Sequence, residues 1–321
     1  MKRLSVVVPV YYNEGTLEAL YERLCAMHER LADRAELEIV LVDDGSGDRS
    51  RGILEGLAGR DPERVRTVLL SRNFGSFNAI LAGLSYATGD CIAIISADLQ
   101  DPPEMIPTMY ERWEAGDRTV MAVREKREDP LFTRLFSSAS YVILRRLAIP
   151  NFPKGGFDFV LIDRRVRDII VGMGERNTFL MGLIAWVGFS QSQLYYTRRS
   201  REDGESRWTF WKKFKYLVDS ILAFSYAPMR FMSAIGFILA FLGLFYALFL
   251  IIQRLTFHVA VPGWTALMVV VLVLFGFQFV AMGVTGEYIW RTLDEVRRRP
   301  AYIVDRVIGG DNKDPQGENE A

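Results

Sequence analysis

The chain has 321 residues, and half of them are hydrophobic, which is enough to bury a large core. Its basic and acidic residues number 39 each, and the resulting net charge of zero argues against a nucleic-acid partner. The two cysteines, Cys25 and Cys91, argue against a disulfide framework and favour a reduced cytosolic domain. The histidines, His28 and His258, are far apart in sequence, so a histidine-rich metal site is not expected.

Short apolar runs alternate with amphipathic stretches over the first 200 residues. The run at residues 4–10 is too short for a secretory signal, so we expect the N-terminal domain in the cytoplasm. The pattern predicts strands at residues 4–10, 38–43, 65–70, 91–96 and 119–123. It predicts helices at residues 17–31, 50–57, 74–87 and 105–114. Such alternation is typical of an α/β domain whose mainly parallel sheet is covered on both faces.

Polar residues follow four of the predicted strands at the point where each strand ends. The four segments are residues 12–14, 43–46, 71–73 and 98–101. Because ligands bind outside the carboxyl ends of the strands in such a sheet, we expect these segments to form one site. Asp43 and Asp44 can accept hydrogen bonds from a ribose or a base, although they also suit a turn and helix cap.

The segment after the fourth strand is the stronger candidate for chemistry. Asp98 and Gln100 occupy alternate positions, so the sequence predicts that both side chains point to the same side. A carboxylate and an amide oxygen suit a hard divalent cation, Mg²⁺ or Mn²⁺, with diphosphate and water as the other ligands. A strand exit with an aspartate turn is the alternative interpretation of the same residues.

The last third of the chain is far more apolar. Residues 231–252 and 264–286 contain no charge, and each segment exceeds the ~20 residues that cross a bilayer. Basic residues precede the first segment and follow the second, which predicts that both flanks are cytoplasmic. Residues 208–226 have apolar residues at helical spacing and predict an amphipathic interfacial helix, with an ordinary domain helix as the alternative. Beyond Gly310 the polar tail is expected to be disordered.

Five motifs together resemble those of the family 2 glycosyltransferases. They are VVPVYYNE at 7–14, VDDGS at 42–46, SRNFG at 71–75, ATGD at 87–90 and ADLQDPPE at 97–104. More narrowly, they resemble the polyprenyl-phosphate branch, which includes dolichol-phosphate mannosyltransferases and bactoprenol glucosyltransferases. The resemblance covers nearly the whole chain. It implies a nucleotide-diphospho-sugar transferase fold (GT-A, Rossmann-like), inverting transfer and a metal-assisted leaving group.

The resemblance also implies roles for individual residues. Asp98 and Asp158 would be the catalytic residues, and Asp98 and Gln100 would bind the metal. The nucleotide-sugar site would comprise Pro9, Tyr11, Asn13, Glu14, Asp43, Asp44, Ser71, Asn73, Ala97 and Asp98. Because a guanidinium suits phosphate oxygens, we expect the acceptor phosphate and the diphosphate to meet a set of mostly basic residues. These are Arg124, Arg134, Arg201, Ser206 and Arg207.

Three positions depart from the family pattern. Ser96 stands where the family often has an aspartate, a change that bears on metal binding and activity. The pair Tyr11-Tyr12 adds one residue before the usual Asn-Glu. Val160 stands where an arginine often occurs, two residues after Asp158.

These features predict an enzyme that transfers a sugar from a UDP- or GDP-linked donor to a polyprenyl phosphate at the cytoplasmic face of the cell (inner) membrane. The expected organisation is a transferase domain at 1–207, an interfacial helix at 208–228, a transmembrane hairpin at 229–290 and a cytoplasmic tail at 291–321. Expected partners are the two substrates, the membrane, further copies of the chain and a flippase for the product. The alternatives are a non-catalytic nucleotide-sugar-binding scaffold and a polysaccharide synthase, although synthases usually have more spans and a Gln-x-x-Arg-Trp motif.

Overall fold

The computed structural model describes residues 1–124, 142, 145–146, 149–150, 152–175, 179–197, 219, 222, 224–257 and 263–310. The chain forms two compact units. The first comprises Met1–Ser220 together with the segment that begins at Pro300, and the second is Ile221–Arg299. The first unit is therefore built from two stretches of chain that the second unit separates in sequence.

The first unit contains an eight-stranded sheet. Its strands are β1 Lys2–Val10, β2 Ala35–Asp43, β3 Val65–Leu70, β4 Cys91–Ile94, β5 Thr119–Arg124, β6 Phe159–Asp163, β7 Gln191–Tyr196 and β8 Val304–Ile308. The strand order across the sheet is β7-β5-β6-β4-β1-β2-β3-β8. Strands β3, β2, β1 and β4 run parallel to one another, whereas β6 and β8 run antiparallel to their neighbours. The carboxyl ends of β1, β2, β3 and β4 therefore lie along the same edge.

Helices cover both faces of this sheet. In the first unit they are α1 Leu17–Glu29, α2 Ser50–Arg60, α3 Ser76–Tyr86, α4 Ile106–Glu114, α5 Arg164–Met173 and α6 Leu180–Trp186. Leucines of α1 and α2 and aromatic residues of α4 form one core with alternate strand residues. Helix α3 packs on the opposite face so closely that a Cβ at Gly83 would lie 2.4 Å from Val7 Cγ1. The covered α/β sheet that the sequence predicted is thus confirmed.

The end of β4 differs from the prediction. The strand stops at Ile94 rather than at Ser96, so Asp98 and Gln100 follow it in a turn. Ser96 Oγ donates to the side chains of Asp98 and Asp101, at distances of 2.7 and 2.9 Å, and can serve one of them at a time. Such local bonds between side chains favour a turn over a continued strand.

The second unit contains two long helices, α7 Ala227–Phe257 and α8 Trp264–Val296. Within them, the segments Ala227–Gln253 and Leu267–Val296 are long and apolar enough to cross a membrane. Their apolar side chains are largely exposed, as Phe237 is to 78%. Burial in a protein core therefore does not account for their composition. The predicted interfacial helix at 208–228 lies largely outside the described residues.

The predicted cytoplasmic tail at 291–321 contains a strand that the sequence did not predict. Helix α8 continues to Val296, and the chain then returns as β8, which pairs antiparallel with β3. Tyr302 is buried and its hydroxyl donates to Ser85 Oγ at 2.8 Å, while Arg51 pairs with Asp305 at 2.8 Å. The physical reason is that β3 would otherwise present unpaired backbone groups at the sheet edge.

Candidate active site

Two buried carboxylates lie at the carboxyl end of β2, Asp43 as its last residue and Asp44 directly after it. Asp43 and Asp44 are 1% and 2% exposed. Asp44 accepts hydrogen bonds from the backbone N–H groups of Phe74 (2.7 Å) and Gly75 (3.0 Å), so it joins the loop after β2 to the loop after β3. Burial raises the pKa of both carboxyls, that of Asp44 to about 6, although hydrogen bonds from backbone N–H groups oppose the rise. Asp44 therefore organises the two loops around the predicted donor site.

The loop after β1 is tied to the same region. The Tyr12 N–H donates to Ser46 Oγ at 3.1 Å, and the Asn13 N–H donates to Ser50 Oγ at 2.9 Å. Asn13 Oδ1 in turn accepts from the Tyr11 N–H at 3.0 Å. Tyr12 has a positive φ of 57°, which is uncommon for a residue with a large side chain. The loops after β1, β2 and β3 are thus joined by hydrogen bonds.

The remaining residues predicted to bind the donor lie around these loops. Glu14 Oε2 accepts from the backbone N–H of Arg49 at 2.9 Å, which places this carboxylate at the start of α2. Pro9 is partly buried in β1. Ser71 and Asn73 are exposed in the loop after β3. These four residues therefore share one sheet edge, although Glu14 has a local structural partner.

The turn after β4 presents alternate side chains to solvent. Ser96, Asp98 and Gln100 are partly exposed, whereas Ala97 and Leu99 between them are buried. Asp98 Oδ1 accepts from the Gln100 N–H at 3.2 Å, which closes the turn. Leu99 has a φ of 59°, in the left-handed region that non-glycine residues seldom occupy. Turn geometry, rather than strand alternation, therefore sets the positions of Asp98 and Gln100.

A buried polar network lies behind this turn. Asp101 is fully buried, and its Oδ1 accepts a hydrogen bond from the Tyr196 hydroxyl. Tyr196 is 7% exposed, and its ring meets Phe159 edge to face. Burial and the neighbouring charge of Asp101 raise the pKa of Tyr196 above its ordinary value, so the hydroxyl keeps its proton. Asp101 thus acts as a buried acceptor that holds the turn.

Arg124 and Asp158 form an ion pair at the ends of β5 and β6. The Arg124 side chain is 12% exposed and Asp158 is 58% exposed. Burial lowers the pKa of Arg124, but the charges of Asp158 and Asp101 are among the opposing effects and the net shift is upward, so the guanidinium stays charged. Gly155 lies against Arg124, because a Cβ at Gly155 would be 2.9 Å from its carbonyl oxygen. The predicted acceptor-side carboxylate is therefore held by a largely buried arginine.

A cavity of about 980 Å³ opens beside Arg124. Its lining includes two further cations, Arg145 and Lys154, and the aromatic side chains of Phe152 and Phe189. This volume lies at the upper end of the range for small-molecule sites, and cations with aromatic walls suit an anionic ligand that has an apolar part.

The residues at the turn fit a divalent cation that arrives with its substrate. Among the described residues, no group of three or more histidine, cysteine, aspartate or glutamate side chains is placed to hold an ion. Asp98 and Gln100 supply hard oxygen ligands, and Mg²⁺ is commonly held by one or two carboxylates with substrate phosphates and waters. The donor set is therefore compatible with Mg²⁺ or Mn²⁺ bound together with a nucleotide diphosphate.

Four predicted phosphate-binding residues lie outside the described residues. They are Arg134, Arg201, Ser206 and Arg207. The remaining member of the predicted phosphate-binding set, Arg124, lies at the end of β5 and lines the cavity.

Sequence reasoning missed two residues of the polar network, Asp101 and Tyr196. Asp101 lies inside the same ADLQDPPE motif as Asp98, so its position was a usable signal. Tyr196 lies in no motif, and only the parallel pairing of β5 with β7 brings it beside Arg124. Thr16 was also missed, although its hydroxyl donates to the Ala97 carbonyl at 2.6 Å and so links α1 to the turn.

Comparisons with known proteins agree with this geometry. The family model of glycosyl transferase family 2 matches residues 5–167. The chain is 38% identical over 307 residues to an uncharacterized glycosyltransferase, sll0501, of Synechocystis, covering 95% of this chain and 96% of that protein. It is 37% identical over 306 residues to a prophage bactoprenol glucosyl transferase homolog of Escherichia coli, covering 95% and 99%. It is 34% identical over 322 residues to the undecaprenyl-phosphate 4-deoxy-4-formamido-L-arabinose transferase of Photorhabdus laumondii, covering 100% and 98%.

The matched region runs from β1 into α5 and contains the loops after β1, β2 and β3, the turn after β4 and the Arg124–Asp158 pair. The relatives align with almost the full length of the chain, including both apolar helices. The predicted resemblance is confirmed: the chain belongs to glycosyl transferase family 2 and is a glycosyltransferase.

Proposed function

We propose that this glycosyltransferase moves a sugar from a nucleotide-diphospho-sugar, UDP- or GDP-linked, to a polyprenyl phosphate. The acceptor is supported by two relatives, one named for bactoprenol and the other for undecaprenyl phosphate. Their sugars differ, because one name specifies glucosyl transfer and the other 4-deoxy-4-formamido-L-arabinose. The sugar of this chain is therefore a question for experiment.

One observation carries the proposal. The donor-side turn at Asp98 and the acceptor-side pair Arg124–Asp158 lie at the same edge of the sheet. Ile94, four residues before Asp98, pairs with Val160, two residues after Asp158. An acidic turn suited to a metal-bound diphosphate thus lies at the neighbouring strand end to a charged pair suited to an acceptor, and transfer between two phosphorylated substrates requires such proximity.

The chemistry follows from the charges of the two substrates. An oxygen of the acceptor phosphate attacks the anomeric carbon as the bond from that carbon to the donor diphosphate breaks, with inversion at the carbon. A lipid phosphate is ionised at neutral pH, so Asp158 acts first to orient the acceptor and only secondarily to accept a residual proton. A divalent ion held by Asp98 and Gln100 would stabilise the negative charge that develops on the diphosphate.

The acceptor phosphate is proposed to bind at Arg124, beside the cavity. Arg145 and Lys154 in the cavity lining supply further positive charge. The fixed fork of a guanidinium suits phosphate oxygens, and the aromatic lining suits the first apolar part of a lipid. Arg134, Arg201, Ser206 and Arg207 stay predictions for the same role.

We propose that α7 and α8 cross the cell membrane and that both flanking segments are cytoplasmic. This proposal is supported by the length and apolar character of the two helices. It is supported further by β8, which lies after the hairpin and belongs to the same sheet as the strands before it. An even number of crossings returns the chain to the side from which it started. The predicted homo-oligomer and flippase partner stay predictions.

The transfer reaction is tested with membranes that contain the full-length protein. They are incubated with a panel of radiolabelled UDP- and GDP-sugars, polyprenyl phosphate and Mg²⁺ or Mn²⁺, and label is measured in the organic phase. We expect label from one donor, its loss with a chelator, and a loss of at least about 10²-fold for Asp98→Ala. Asp33→Ala, an exposed change in the turn before β2, is the matched control and is expected to retain activity.

Two results would separate the alternatives. Absence of label with every donor, while nucleotide binding persists, would reject the transfer proposal. It would favour the alternative hypothesis of a non-catalytic nucleotide-sugar-binding scaffold. Label that accumulates in a polymer instead of a lipid would favour a polysaccharide synthase.

A further inference from the structure

We propose that Tyr196 is a positioning residue that couples the donor-side turn to the acceptor-side Asp158 through Arg124. This inference rests on the proposed function for its catalytic consequence, although the coupling itself is a property of the fold. Tyr196 lies in no family motif named above, and nothing in its sequence surroundings marks it for a role.

The first half of the coupling is the link from Tyr196 to the turn. The Tyr196 hydroxyl donates to Asp101 Oδ1, and Ser96 Oγ lies 2.9 Å from Asp101 Oδ2. Ser96 Oγ also lies 2.7 Å from Asp98 Oδ1. The buried Asp101 thus shares with Asp98, the carboxylate that the reaction needs at the donor side, a hydroxyl that can donate to either of them. Ser96 has a structural use here that an aspartate at this position could not fulfil, because a carboxylate has no proton to donate.

The second half is the link from Tyr196 to Asp158. In the parallel pairing of β5 with β7, Arg124 is the partner of Tyr196, so the two side chains leave the sheet next to each other. Arg124 and Tyr196 are neighbours in the strand pairing and each shifts the pKa of the other, and Arg124 Nη2 pairs with Asp158. A tyrosine hydroxyl can accept from the guanidinium while it donates to a carboxylate, and phenylalanine can do neither. Tyr196 is therefore placed to hold both sides at once.

Burial makes this network sensitive to the loss of one member. The Asp101 side chain is buried, so neither water nor counter-ions can compensate for a lost hydrogen bond. The Arg124 Nε atom is also buried and has no hydrogen-bond partner within the described part of the chain, so this guanidinium depends on its other contacts. Removing the Tyr196 hydroxyl would leave Asp101 one bond short and would remove a polar neighbour of Arg124, so both side chains could reorient. A small displacement of Asp98 relative to Asp158 is enough to slow transfer.

The test uses the full-length protein and a double-mutant cycle. The variants are Tyr196→Phe, Asp158→Asn and the two combined. Tyr110→Phe is the matched control, because Tyr110 is also buried in the same core but its hydroxyl donates to the Arg34 carbonyl at 3.4 Å. Each variant is measured for kcat and for the KM of donor and acceptor, and for its apparent Tm in detergent.

We expect Tyr196→Phe to lower kcat by about tenfold or more, with a smaller change in the KM of the donor, and Tyr110→Phe to stay within about twofold of the wild type. Added to Asp158→Asn, the Tyr196→Phe change should cost much less than it does alone, because the two residues act through one network. Likewise, Tyr196→Phe should lower Tm less in the Asp158→Asn variant than in the wild type.

The outcomes separate the coupling from the proposed function. Effects of Tyr196→Phe and Asp158→Asn that add fully, in both rate and Tm, would overturn the coupling. A loss of kcat no larger than that of Tyr110→Phe would overturn it as well. A wild type that transfers no sugar, but whose variants are non-additive in Tm, would support the coupling and reject the transfer proposal.

Discussion

Replacing Gly45 with alanine is expected to push apart the two loops that frame the predicted donor site. Gly45 has a φ of +71°, and a Cβ at this position would lie 2.6 Å from Arg72 C and 2.7 Å from Asn73 N. Both are backbone atoms, so no side-chain rotation relieves the collision. The loop after β3 must shift. That loop supplies the two backbone N–H groups from which Asp44 accepts hydrogen bonds.

The magnitude follows from these two effects. The left-handed conformation costs an alanine about 1–2 kcal/mol. Weakening the hydrogen bonds to the buried carboxylate adds about 1.5–3 kcal/mol. Together they lower the free energy of unfolding by about 2.5–5 kcal/mol, which corresponds to a fall in Tm of roughly 5–20 °C for a unit of this size.

Thermal unfolding of the full-length protein in detergent measures this fall, and binding of a nucleotide-sugar measured on the same samples should weaken with it. Gly174→Ala is the matched control, because Gly174 has a φ of +63° but no atom within 4 Å of the added Cβ, so it reports the backbone cost alone. Gly56→Ala, within α2 and also without a neighbour, should raise stability by about 0.5–1 kcal/mol. If Gly45→Ala lowers Tm no more than Gly174→Ala does, the close approach of the loops is refuted.

Three further predictions concern pH, the C-terminal strand and the buried thiol. Burial raises the pKa of Asp44 from 3.8 to about 6, so its contribution is fully present below pH 3.8 and is lost as pH rises through 6; the loss is at most about 3 kcal/mol. Tm profiles from pH 4 to 7 should show this decline in the wild type and a flatter curve for Asp44→Asn, and parallel curves would contradict it. A chain that ends at Pro300 loses β8 and the buried Tyr302, so its Tm should fall well below that of a chain ending at Gly310; equal Tm values would mean that β8 contributes nothing. Cys91 is buried and its pKa is raised by burial, so a thiol reagent should modify the partly exposed Cys25 first in the native protein, and equal rates would refute this order.

Patterns local in sequence accounted for most of the sheet and for part of the site. The strand Val65–Leu70 agrees with its prediction at both ends, because its apolar residues are buried and polar residues bound the segment, although Arg66 and Thr67 lie within it. The edge of the sheet that carries the site followed from the same logic, since the polar residues after parallel strands must meet there. Motif resemblance identified the family, and the comparisons confirmed it.

Other features were beyond the reach of local patterns. The sequence predicted a strand to Ser96, but the hydrogen bonds of Ser96 to two aspartates end it at Ile94. No strand was predicted in the cytoplasmic tail at 291–321, yet five of its residues form β8. That strand is short and carries Asp305 and Arg306, so its own sequence does not mark it as a strand. It forms because it pairs with the open edge of β3, which lies over 230 residues away in the chain.

The sequence by itself determined the α/β class, the two long apolar helices and the family, because periodicity and motifs are properties of neighbouring residues. The tertiary structure decided which distant groups share a contact. Tyr196 meets Asp101 across 95 residues, and Arg124 meets Asp158 across 34. Such pairs arise only when strands from different parts of the chain align in one register, and no local pattern encodes that register. The proposed coupling of Asp98 to Asp158 through these pairs therefore depends on the fold.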